Sequence, residues 1–411
     1  MSQRHVHPWV FMILIVPFGA IFGFVSVAVG FTLTQAGVPV DRTAALIALG
    51  LLPHTWKFVW APIADTTLTR KRWYVIASLL SAAGICATGA IRPDAAGLAL
   101  LSAVVFTSNV AVTFLGMSVE SLMAYGTPEN LKGRAGGWFQ AGNLGGQGIG
   151  GGAGLWLAQH LASSWIAAAI VAGACVACMF ALRLVEEPES AHRHADLRVS
   201  LLHVGKDVWN VSRSRMGALA LILCFLPIGS GAASNLWSAV ASDWRASANT
   251  VAMVTGVLGG IVSAVGCVAG GLICDRMNRK TAYAAFGVLQ AVCASAMALA
   301  PRTEATYVLF TLIYAFITGL TYAGFSAFVL EAMGLGAAAT KYNLYASLSN
   351  MPIYYMTNMD GWAHQRWGPA GMLHFEAACG IAGLVAFGIV LALWPRARAG
   401  ETAAAAPEPI G

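Results

Sequence analysis

The chain alternates between long apolar runs and short polar interruptions. Pro8–Val40, Ala135–Leu182, Met216–Ser242, Ala246–Cys274 and Ala305–Leu330 contain no Asp, Glu, Lys or Arg. The hydrocarbon core of a bilayer is about 30 Å thick and a helix rises about 1.5 Å per residue, so an apolar run of about 18 residues predicts a crossing helix. On this pattern twelve spans are predicted, at 9–35, 42–64, 73–91, 96–124, 134–159 and 164–185, then at 215–241, 247–273, 281–300, 305–333, 341–360 and 370–394. One long polar segment, Glu186–Ser214, separates the two sets. The expected fold is an all-α polytopic membrane protein with a six-helix half over 1–185, a cytoplasmic linker over 186–214, a second half over 215–394 and a tail over 395–411. The tail is rich in Ala, Pro and Glu, a composition that predicts disorder. The first run is too long for a signal peptide and lacks a small-residue cleavage pattern, so it is expected to remain as span 1.

Charge sets the direction of threading. Only 10% of residues are charged, against about 25% in soluble domains. The net charge of +6 forms no patch that would suit nucleic acid, because the basic residues fall in alternate loops. With both termini in the cytoplasm, that side holds 18 Lys and Arg and the opposite side five. Basic loops stay inside during insertion, so the asymmetry predicts this topology in an inner (plasma) membrane and an even number of spans.

The two sets echo each other in order. Val16-Pro17-Phe18-Gly19 in span 1 matches Leu226-Pro227-Ile228-Gly229 in span 7. Asp65 with Arg70 and Lys71 after span 2 matches Asp275 with Arg276, Arg279 and Lys280 after span 8. Glu120 in span 4 corresponds to Glu331 in span 10, and Asn143 in span 5 to Asn350 in span 11. Such parallel halves can rock about a central site. An Asp at a helix end can accept hydrogen bonds from a neighbouring helix N-terminus and from Arg, so Asp65, Arg70, Asp275, Arg276, Arg279 and Lys280 are candidates for a cytoplasmic gate. Anchoring of topology is the alternative role of the basic residues.

Gly271-Leu-Ile-Cys-Asp275-Arg276-Met-Asn-Arg279-Lys280 resembles the loop signature of the major facilitator superfamily, with Asn278 in place of its second Gly. Leu52-Pro53-His54-Thr55-Trp56-Lys57-Phe58-Val59-Trp60-Ala61-Pro62-Ile63-Ala64-Asp65 resembles the helix 2 signature of the AmpG-type muropeptide permeases and the related acetyl-coenzyme A transporters. Ala338–Leu348 and Gly361-Trp362 are similar to the same group. Members commonly carry an acid in mid-helix 4, where this chain has Ser108-Asn109-Val-Ala-Val-Thr113. The resemblance implies a solute:cation symporter for a bulky conjugate such as a peptidoglycan fragment. Acyl-coenzyme A or siderophore-like cargo is the alternative within the same fold.

Polar groups inside spans are the candidate chemistry. Lys57 lies eight residues before Asp65, about 12 Å from the inner end of its helix. At that depth it costs about 2.5–3.5 kcal/mol unless it meets water or an anion. A cavity with an anionic solute group is the functional reading, and snorkelling the other. His54 is one turn further in and reads as either a proton carrier or a hydrogen-bonded structural residue. Glu120 and Glu331 read as structural partners of Arg134, Lys341 or the loop basics, with proton coupling as the alternative. Asp360 and Glu376 are expected at solvated outer helix ends, or in an outer gate. The amide stripe Gln140, Asn143 and Gln147, with Asn343 and Asn350 on span 11, predicts a cavity lining. Amides that merely tie helices together are the alternative, worth about 0.6 kcal/mol each. Asn109, Asn235, Tyr314 and Tyr322 complete the candidate solute site.

Other chemistries lose support on context. Gly145–Gly152 contains a literal G-x-G-x-x-G, but it lies inside a span with no strand before it. Cys175 and Cys178 sit in an apolar helix without a second pair, and the His5/His7 and His192/His194 pairs are too sparse for a metal. A membrane-embedded acyltransferase-like enzyme is the alternative of a different class, but no nucleophile or metal constellation supplies its chemistry. A monomer is expected, with a small-molecule solute, protons and the bilayer as partners, and no cofactor or metal.

Overall fold

A computed structural model of the protein describes residues 6–127, 132–187, 215–333 and 344–393, with isolated positions between 198 and 213. The side chains of Asp65, Arg134 and Glu331 lie outside the described set, as do Lys341, Asn343 and the tail from residue 394. Every regular element among the described residues is helical.

In chain order, α1 covers Trp9–Gln35, α2 Val40–Thr55 plus Lys57–Thr66, α3 Arg70–Ala90, α4 Leu98–Gly126, and α6 Ser164–Leu184. Between the last two, α5 runs through Lys132–Gly148, Ile149–Ala153 and Gly154–His160. In the second set, α7 starts as Arg215–Phe225 and continues as short turns at Ala232–Leu236 and Ala241–Trp244. Ala248–Arg276 is α8, Arg279–Leu299 α9 and Glu304–Met333 α10. The last pair, α11 (350–367) and α12 (369–393), meet at a corner where Gly368 adopts φ 72° ahead of Pro369.

Eight of the described helices are long and apolar enough to cross a membrane, or nine if the bent α2 is counted. Two features account for the difference from twelve. The eighth, Leu344–Leu393, contains both α11 and α12. The glycine-rich α5 and the interrupted α7 are not among the apolar helices. The arrangement is consistent with twelve crossings.

Local sequence explains the breaks. Pro53 precedes a 52° bend in α2, where Trp56 leaves the helical region. A proline ring inside a helix clashes with the preceding turn and removes one hydrogen bond. In α7 the helix ends at Phe225, just before Pro227, and the chain continues through Gly229 (φ 57°) and Gly231 (φ 69°). These left-handed values favour glycine. Three helices, α1, α5 and α8, carry π-helical segments at Phe24–Val29, Ile149–Ala153 and Ala252–Leu258. Asn278, the departure from the loop signature, is the N-cap of α9: its Oδ1 accepts from Lys280 N (3.0 Å) and Thr281 N (3.4 Å).

The apolar core has an asymmetric plan. One cluster unites both sets at the end away from the termini, drawing on the second half of α1, the start of α2, the α7 turns, the start of α10 and the start of α12. Towards the other end the clusters separate. One contains only α1, α3, α4 and the end of α6, and two others only α7–α12 and the 344–348 turn. The two sets therefore share a core at the end away from the termini and keep separate cores at the opposite end. Ser238 Oγ donates to the Ser26 carbonyl across the shared end. Gly152 of α5 and Gly256 of α8 touch there backbone to backbone.

Candidate functional site

The separation of the cores leaves a cavity of about 340 Å³ between the two sets. Its walls come from α1, α2 and α5 on one side and α7, α8, α10 and α11 on the other. Among its lining residues Lys57 alone carries a formal charge. The rest are amides, hydroxyls, glycines and a few rings, including Phe18, Phe22 and Trp237. This combination of apolar walls with a few convergent polar groups is the usual composition of a small-molecule site.

The bend in α2 positions His54 and Lys57, which flank it. Both are buried among protein atoms and both line the cavity. Lys57 Nζ lies 2.9 Å from Glu120 Oε1 on α4. Glu120, expected beside Arg134, Lys341 or a loop cation, pairs instead with Lys57. Lys57 opens the second segment of α2 directly after the bend, and the pair neutralises two charges that would each be costly alone. His54 Nε2 sits 3.3 Å from Asn109 Oδ1, and the ring meets Phe18 edge-on at 5.1 Å. Asn109 Nδ2 in turn donates to the Val105 carbonyl (2.9 Å). Asn109 thus stands behind His54 and is not among the lining residues.

Asn143 and Gln147 line the cavity together with Gln140, as the stripe on α5 implies. Asn143 Nδ2 lies 3.4 Å from Gln140 Oε1, one turn away. Across the cavity stand Asn235, Tyr322 and Asn350. Asn350 is tethered to its own helix through the Ala346 carbonyl (2.8 Å). Asn343 lies outside the described residues. Tyr314 points away from the cavity: its hydroxyl donates to Glu376 on α12.

Sequence reasoning missed Ser230, Ser234 and Ser263 on the cavity wall, and the hydroxyls of Thr311 and Thr318. The signal for the first two was the Pro227–Gly231 break, which exposes chain that a regular helix would cover. A larger correction concerns Asp360 and Glu376. They are not solvated helix ends: Asp360 is wholly buried and Glu376 is 6% exposed.

At the junction of α8 and α9, Asp275 and Arg276 are exposed, while Arg279 and Lys280 are half-buried. Lys280 Nζ sits 5.9 Å from the Phe328 ring centre. The Arg70 and Lys71 amides donate to Glu187 (2.6 and 3.3 Å), which fastens the start of the linker to the N-terminus of α3. The side chains of Asp65 and Glu331 are outside the described set. Among the described residues no cluster of His, Cys, Asp and Glu could hold a metal ion.

Comparison with known proteins places this arrangement. The family model described as Major Facilitator Superfamily matches residues 9–354. The anhydromuropeptide permease of Escherichia coli K12 is 24% identical over 363 residues, covering 84% of this chain and 72% of the relative. Among solved structures, a mutant of the nucleoside transporter NupG superposes with a TM-score of 0.70 at 13% identity, over 93% of this chain and 99% of the other. The xylose transporter XylE of E. coli, in a partially occluded inward-open form, gives 0.67 at 14% identity over 95% and 98%. At such identities the two structures speak for the fold alone.

Proposed function

The chain belongs to the major facilitator superfamily; it is a membrane transporter and not an enzyme, and from that premise we propose that it carries a muropeptide-like conjugate by proton-coupled alternating access. The observation that carries the proposal is the cavity itself: one Lys, a ring of amides and hydroxyls, and apolar faces, at the seam between two six-helix sets. A sugar–peptide conjugate offers matching chemistry. Its acetamido and hydroxyl groups suit Asn143, Gln147, Asn235, Asn350 and the serines. Its sugar faces suit Phe18, Trp237 and Tyr322, and a peptide carboxylate suits Lys57 if it displaces or joins Glu120. The permease relative supports the same substrate class.

The shared outer core and the separate inner cores support a state closed at the outer end. The gate proposed at Asp65, Arg70, Asp275, Arg276, Arg279 and Lys280 would then form only in the opposite state, when the inner ends approach. That agrees with the exposure of Asp275. Both termini are proposed on the cytoplasmic side of the inner membrane, from the basic asymmetry. The test is uptake of radiolabelled anhydromuropeptide into proteoliposomes, with and without a pH gradient. Gradient-dependent accumulation that Lys57→Gln weakens supports the reading. Absence of uptake for this solute, with uptake of an acyl-coenzyme A or a siderophore, would replace the substrate class.

A further inference from the structure

Behind the cavity wall, four helices of the second set converge on two buried carboxyl groups. Asp360 on α11 and Glu376 on α12 interact electrostatically. They stand eight residues before and eight after the Gly368 corner, so at matching depth, about 12 Å from the outer end. Glu376 Oε1 accepts from the Tyr314 hydroxyl of α10 and from the Ala233 amide in the α7 turn (3.2 Å). Glu376 Oε2, both oxygens of Asp360 and Gln290 Oε1 of α9 are buried and have no partner among the described residues. The other titratable groups facing the pair are Tyr314, Cys293 of α9 and Cys379 of α12. Among the described residues no Lys, Arg or His pairs with either acid.

The centre is therefore rich in acceptors and short of donors. Two adjacent carboxyls removed from water need a proton or a cation between them. A small cavity of about 10 Å³ lies beside Glu376 and Gln290, with room for about one water. That suits a proton and its carrier water better than a hydrated metal ion. Ser230 lines both this space and the central cavity, so one residue of the α7 break stands between them.

Resting on the transporter reading above, we propose that Asp360 and Glu376 form the proton site that couples transport to a pH gradient, in place of His54 or Glu120. The proton is carried as an O–H on one of the two carboxyls and leaves unchanged on the opposite side. The link to the solute is the α7 break. Charged Glu376 holds that break through Ala233, and protonation weakens it as an acceptor. Ser230, Ser234 and Asn235 of the same break line the cavity. Asn235 Nδ2 also donates to Thr357 Oγ1 (3.0 Å), one turn before Asp360. Trp237 of the cavity wall packs edge-on against Tyr314 (5.3 Å). Proton and solute thus bias one structural element, which is the physical requirement for coupling between sites.

The test has two arms. Infrared titration of the purified full chain in nanodiscs reads the carbonyl stretch of protonated carboxyl groups. A signal is expected that Glu376→Gln or Asp360→Asn removes and that replacing KCl by NaCl leaves unchanged. No such signal, a signal indifferent to both substitutions, or its loss in sodium overturns the assignment. The second arm uses radiolabelled anhydromuropeptide in proteoliposomes. At one proton per solute, a gradient of one pH unit supports about tenfold accumulation. Glu376→Gln should lose that accumulation and keep solute exchange, whereas accumulation equal to the parent's overturns the proposal. If Glu376→Gln does not fold, Asp360→Asn is read in the same way. If the parent does not carry this solute, the substrate reading fails while the infrared titration still decides the proton site.

Discussion

Gly256→Ala is expected to open the outer end of the transporter. A Cβ at position 256 would lie 2.6 Å from Gly152 Cα, 2.9 Å from Gly152 N and 3.1 Å from Gly148 O. All three atoms are backbone, so no rotamer change relieves the clash, and α5 and α8 must separate. Overpacking of a tight contact costs about 1–3 kcal/mol. Because the contact joins the two sets and exists only while the outer end is closed, that energy falls on one state. The balance should shift about 5- to 150-fold towards the outer-open state. The gain in helix propensity of Ala over Gly, about 0.5–1 kcal/mol, is common to both states and drops out. Fluorophores on unnatural amino acids at the exposed positions His160 and Asn249 would report the separation of the outer ends by energy transfer. The control is Gly145→Ala on the same helix, where a Cβ meets nothing within 4 Å. A distance distribution unchanged in Gly256→Ala, or shifted as far in the control, refutes the argument.

Lys57→Met should leave the half-buried Glu120 unpaired and lower the melting stability by about 1–3 kcal/mol. Lys57→Met combined with Glu120→Leu should restore most of it, and a single variant as stable as the parent would show that the pair carries no weight. Asp275→Asn keeps every basic residue, so insertion should survive while thiol probes in the inner half of the cavity become more accessible; accessibility and transport equal to the parent's would leave only the anchoring role. Cysteines introduced between residues 186 and 214 should resist an impermeant reagent added to intact cells, and labelling from outside would reverse the proposed topology.

What the sequence made legible follows from what a single helix encodes. Hydropathy marks spans, and the i, i+4 spacing of Asn143 and Gln147 marks a polar face, so the α5 stripe could be read without a fold. Pairings between helices depend on rotation and tilt, which no local pattern carries. That is why Glu120 was matched to nearby loop cations instead of Lys57, 63 residues away. Depth was misread for a related reason. Span 11 was expected to end at residue 360, but α11 continues to 367, and the extra turns bury Asp360. The echo between Val16-Pro17-Phe18-Gly19 and Leu226-Pro227-Ile228-Gly229 also hid a difference. Pro17 sits inside a continuous helix, whereas α7 breaks, because Gly229 and Gly231 adopt left-handed angles that α1 never enters.

The backbone contact of Gly152 with Gly256 has a kinetic consequence. A gate closed by long side chains must freeze their rotamers each time it shuts and release them each time it opens, at up to about 1.5–2 kcal/mol of entropy for each Lys, Arg or Met. Glycine has no rotamers to freeze. The outer ends of α5 and α8 can meet and part as bare backbone surfaces, with no ordering step between. Speed of opening is then governed by the motion of whole helices, and a long, rotamer-rich side chain grown at this seam slows the cycle even where it leaves the end states equally stable.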